Sequence, residues 1–101
     1  MKKYNGQGKK WDNKNTAFLC RAFLAMKNEI EMKSFLRDLL TENEIIEFGH
    51  RLRAAELLKA DIYYDAIAEE TGLSSRTIAR VKKWLKGNGG GYRTALARVK
   101  K

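Results

Sequence analysis

Hydrophobic residues recur along this chain at spacings of three and four, the period of a helix that lays one face against a core. Phe18, Leu19, Ala22, Phe23 and Met26 form one such stripe and predict a helix over residues 14–26. A second is predicted over 29–40, with Asn28 as N-cap and Glu31 three places on. The segment "TENE" at 41–44 is a capping box, in which the Thr41 hydroxyl and the Glu44 carboxylate each satisfy a backbone donor of the other. It opens a third helix that runs to about Lys59, with Ile45, Phe48, Leu52, Ala55 and Leu58 on the expected inner face. Two short helices follow over 62–70 and 75–85, and a final basic helix is possible in "YRTALARVKK". No strand-like alternation interrupts this pattern, and the chain contains no proline, so the fold class is all-α.

The two short helices are spaced as a helix-turn-helix. Counting from Tyr64, Ala68 is small enough for the second helix to cross closely above it, and Gly72 permits the positive φ that ends the first helix sharply. Ile67, Leu73, Ile78 and Val81 fill the wedge between the helices. Ser74 or Ser75 caps the second helix. With Ile78, Val81 and Trp84 turned inward, the outward face carries Ser75, Arg76, Ala79, Arg80 and Lys83, flanked by Thr77 and Lys82. Arginine can pair bidentately with guanine in the major groove, serine and threonine can reach bases or phosphates, and lysine neutralises phosphate. The candidate DNA-binding residues are therefore Ser74, Ser75, Arg76, Thr77, Arg80, Lys82 and Lys83.

Charge sharpens this reading. Of the 101 residues, those from 1 to 70 hold 12 Lys/Arg and 12 Asp/Glu, which cancel. Residues 71–101 hold nine Lys/Arg and no acid, so the whole net charge of +9 begins at the helix-turn-helix. A compact basic block favours a polyanion, because neutralising phosphates releases condensed counterions. The length suits one domain with a modest core, and helices sharing apolar faces with a second copy would enlarge it, which makes a homodimer the expected state. The lone Cys20 cannot form an internal disulfide and is expected as a buried small hydrophobe in a reducing interior. No apolar run has the length of a membrane span and the N-terminus lacks a signal-peptide core, so the expected location is cytoplasmic. The chain divides into a mobile polar arm (1–12), a helical dimerisation region (13–60), the helix-turn-helix (61–86), and a Gly-rich hinge with a basic tail (87–101).

Three segments carry a resemblance: "LLTENEIIEFGHRLRAAELL" (39–58), "YYDAIAEETGLSSRTIARVKKWL" (63–85) and "GNGGGY". Together they resemble the tryptophan repressor superfamily, and within it the YerC/YecD-type branch of small bacterial proteins. The resemblance implies an intertwined all-helical homodimer whose two recognition helices read a palindromic operator on double-stranded DNA. It also implies an effector pocket. In the tryptophan repressor, two arginines sandwich the corepressor's indole, and a threonine from the partner chain helps hold its amino end. By motif position these groups correspond to Arg51, Arg80 and Thr41. Two neighbours depart from that pattern: Val81 replaces the glycine after the second arginine, and Trp84 replaces a small serine. Overpacking a site by a few atoms typically costs about 1–3 kcal/mol, so the pocket is expected to be filled from within and tryptophan not to act as corepressor.

Other candidates reduce to structure. His50 has no His or Cys partner at ligand spacing, and Glu42, Glu44 and Glu47 are helix-start electrostatics. Tyr63 and Tyr64 are expected to pack at the start of the helix-turn-helix. No phosphate loop, nucleophile elbow or zinc spacing is present, so neither cofactor, metal nor enzymatic activity is expected. The competing reading is an interaction module whose helix-turn-helix binds an acidic protein partner.

Overall fold

A computed structural model describes residues 9–101 and contains six helices: α1 (Lys14–Ala25), α2 (Glu29–Leu39), α3 (Glu42–Lys59), α4 (Tyr64–Thr71), α5 (Ser75–Lys86) and α6 (Gly91–Arg98). No strand occurs among the described residues. The expected mobile arm lies mostly on residues 1–8, outside the described residues. Residues 9–12 form a turn into α1, closed by the Asp12 N–H donating to the Lys9 carbonyl at 3.1 Å.

The described residues up to 45 form one compact unit. Its helix starts are capped, at Asn28 and Thr41 as the sequence indicates and at Asn13 in addition. The Asn13 side chain accepts from the Thr16 N–H, and Asn28 does the same for Glu31 at 2.9 Å. The capping box is complete: the Thr41 N–H donates to Glu44 Oε1 at 2.9 Å, and the Glu44 N–H donates to Thr41 Oγ1 at 3.1 Å. Phe23 and Phe35 meet edge to face at 5.5 Å. Yet neither α1 nor α2 has a single buried residue in the isolated chain. Leu24 is 85% exposed, Ile30 is 78% exposed, and Cys20 is exposed where a buried thiol was expected. The apolar stripes exist, but among the described residues they are at most half-buried, Phe23 and Phe35 included.

Residues 46–101 hold the core. Ala54 and Ala55 from α3, Ile67 from α4, and Ile78 and Val81 from α5 are buried together. Burying an isoleucine fully is worth about 1.5–3 kcal/mol, so Ile67 and Ile78 anchor this cluster. The inner face of α3 is narrower than its spacing suggests: Ala55 and Leu58 face the core, while Phe48 and Leu52 stay exposed. Tyr92 and Leu96 place α6 against the same core, and the Arg93 guanidinium donates to the Leu85 carbonyl at the end of α5. The basic segment after the glycines thus packs as a helix. Its start depends on Gly90, held at φ +74°, a left-handed conformation that glycine adopts without strain.

Candidate nucleic-acid interface

The turn between α4 and α5 is built from backbone requirements upward. Gly72 ends α4 at φ +74°, and its N–H donates to the Ala68 carbonyl at 2.8 Å. Thr71, the residue before it, is buried and doubly used. Its hydroxyl donates to the Ile67 carbonyl at 2.7 Å and accepts from the Leu73 N–H at 3.2 Å. Sequence reasoning passed over Thr71, because a hydroxyl's use inside a turn leaves no spacing signal. Ser74, not Ser75, is the N-cap: its hydroxyl accepts from the Thr77 N–H at 3.2 Å.

Along α5 the two faces separate cleanly. Ile78, Val81 and Leu85 are buried at spacings of three and four. Ser75, Arg76, Ala79, Arg80 and Lys83 are exposed, and Thr77 and Lys82 are half-buried on the flanks, as their positions predict. None of the ion pairs among the described residues engages Arg76, Arg80, Lys82, Lys83 or Lys86. Lys82 instead lies over the Tyr64 ring at 5.6 Å. Tyr63 is well exposed and only Tyr64 packs on the core. The result is a helix whose outward cations lack carboxylate partners. Negative charge is absent from the sequence for its whole length and onward to residue 101.

Trp84 corrects the inward assignment. It is 53% exposed, and Leu85 completes the buried stripe in its place. At about 100° per residue, the stripe through positions 78 and 81 passes nearer position 85 than position 84. Trp84 shares its edge of the helix with Arg80.

Four of the five expected effector-pocket residues come together. Arg51, Arg80, Val81 and Trp84, joined by Thr77 and Tyr92, line a cleft of about 110 Å³. Thr41 belongs to the other unit, where it caps α3. Arg51 pairs with Glu47 one turn back and lies over the Phe48 ring at 5.5 Å, but its solvent-shielded Nε has no hydrogen-bond partner. Val81 is built into the core, while Trp84 walls the cleft instead of filling it. Tyr92 was not foreseen, since only the fold-back of α6 brings it here. Trp84 and Tyr92 also wall a broader open cleft of about 500 Å³ over Gly89, Gly90 and Gly91.

Comparison with known proteins agrees with this geometry. A family model described as Trp repressor protein matches residues 14–100. The chain is 40% identical over 82 residues to an uncharacterized protein, YerC, of Bacillus subtilis (strain 168), covering 81% of this chain and 79% of that one. The crystal structure of a TrpR-like protein from Eubacterium eligens ATCC 27750 superposes with a TM-score of 0.82 at 33% identity, covering 93% of this chain and all of that one. The family is named for a repressor, a regulator and not an enzyme, and no described helix is long and apolar enough to cross a membrane. With its all-helical fold and helix-turn-helix, this chain belongs to the Trp repressor protein family.

Proposed function

We propose that the chain is a homodimeric, sequence-specific DNA-binding transcriptional regulator of the repressor type, acting in the cytoplasm on a palindromic operator. The observation that carries the reading is the outward face of α5: an exposed row of cations without carboxylate partners on the second helix of a helix-turn-helix. Within it, Ser75, Arg76 and Ala79 lie at the N-terminal half, which enters the groove in this motif, with Arg80 one turn on. Ser74, Thr77, Lys82 and Lys83 fix register on the phosphates. The exposed apolar residues of α1 to α3 support the dimer, since a second copy is what would bury them. The test is a mobility-shift titration on duplex DNA over a salt series. A protein with no DNA shift that captures an acidic partner from solution would instead be an interaction module.

The same reading holds that tryptophan is not the corepressor. The cleft lined by Arg51, Arg80, Val81 and Trp84 has about 110 Å³, against roughly 300–1,000 Å³ for ordinary ligand sites. Val81 puts a side chain where the tryptophan repressor has glycine, and Trp84 adds a bulky wall beside it. Isothermal calorimetry with free tryptophan is expected to give no heat of binding at ligand concentrations up to about 1 mM, a range that would reveal binding of roughly −4 kcal/mol or better. Micromolar affinity would overturn the narrow-cleft reading and leave the DNA reading standing.

A further inference from the structure

We propose that Arg53 is a positioning residue that sets the angle at which α5 is presented to DNA, an inference that rests on the DNA reading above. Arg53 lies on α3, and its guanidinium is forked between two elements. Its Nε pairs with Glu70 of α4, and its Nη1 with Glu56 of α3 at 2.7 Å. These two carboxylates, Glu70 first, hold the guanidinium above its ordinary value. Glu70 stands two residues before Gly72, the left-handed residue at which the chain turns from α4 into α5. The pair therefore acts close to the pivot of the helix-turn-helix.

The apolar side of the same junction is built around small residues, with Leu57, Leu58, Ala68 and Leu73 packed about it. Ala54 and Ala55 are fully buried and present little more than a methyl surface to Ile67, Ile78 and Val81. Small side chains interlock less deeply than long ones, so a polar pair beside them adds directional restraint. A guanidinium engaged through two of its edges is directional. Arg53 and Glu70 are each more than a third exposed, so their pairing adds little to stability. Its consequence is geometric. In a dimer reading two half-sites about one DNA turn apart, a small error in helix angle becomes an error in spacing.

The experiment measures binding to duplexes whose two half-sites are moved apart or together by single base pairs. The variants are Arg53→Met, which keeps the aliphatic stem, Arg53→Lys, which keeps the charge but not the fork, and Glu70→Gln. The wild type should show a sharp spacing optimum. Each variant should lose about tenfold in affinity at that optimum and bind neighbouring spacings almost as well, with single half-site affinity and melting temperature little changed. A spacing profile for Arg53→Met that superimposes on the wild type overturns the inference. Absence of any optimum in the wild type would speak against the operator reading itself. Amide exchange then tests Arg53 without DNA: exchange at Gly72, Leu73 and Ser74 should be several-fold faster in Arg53→Met than in the wild type, relative to α3. Unaltered exchange overturns the positioning role whatever the ligand.

Discussion

Replacing Ile78 by alanine should destabilise the protein by about 2–5 kcal/mol, the range for removing a large aliphatic group from a packed core. Ile78 is fully buried and joins α5 to Ala54, Ala55 and Ile67. The surrounding core is small: six hydrophobic residues count as buried among those described, two of them alanines. Little neighbouring side chain is therefore available to collapse into the cavity. A domain of this size has only about 5–15 kcal/mol of total stability, so the loss is a large share of it. Thermal or urea unfolding at fixed protein concentration, which matters for a chain proposed to dimerise, measures the change. Lys83→Ala, five residues on and on the exposed face, should stay within about 0.5 kcal/mol of the wild type. Equal effects for the two would mean that α5 is not anchored as described.

The contrast between those positions was legible in the sequence, because the spacing of Ile78 and Val81 admits one buried face. The capping residues Asn28 and Thr41 were legible for a similar reason: each needs only a partner three residues away. What escaped depended on distant chain. Beyond Val81 the expected inward stripe continues through Trp84. The fold buries Leu85, with α6 crossing nearby. Tyr92 and Leu96 read as part of a basic tail because their core partners lie on α3, α4 and α5. Arg53 carries no local sign of its role, since Glu70 lies 17 residues away. Phe48 and Leu52 read as inward-facing and Cys20 as buried, but all three are exposed among the described residues.

The second large effect concerns base reading. Arg76→Ala should cost about 1–3 kcal/mol of discrimination, roughly fivefold to 150-fold, between the operator and a duplex altered at the contacted base pair. Arg76 is the second residue of α5, exposed beside the Ser74 cap, and enters none of the described ion pairs. Its guanidinium is thus free to meet an acceptor edge, and its removal leaves the fold untouched. Lys82→Ala offers the comparison: it should weaken binding to all sequences alike and make the salt dependence shallower. Competition binding with operator variants separates the two. If Arg76→Ala lowered affinity equally for every sequence, Arg76 would be a phosphate contact.

The acid-free segment from residue 71 onward is expected to meet DNA. A mobility-shift titration of the wild-type protein against its selected operator, repeated over a salt series, tests it most directly. With six or more phosphates neutralised by a dimer, affinity should fall by about a thousandfold or more between ~50 and ~200 mM salt, linearly in log–log form. Affinity that hardly responds to salt, or no shift at low salt, would contradict it.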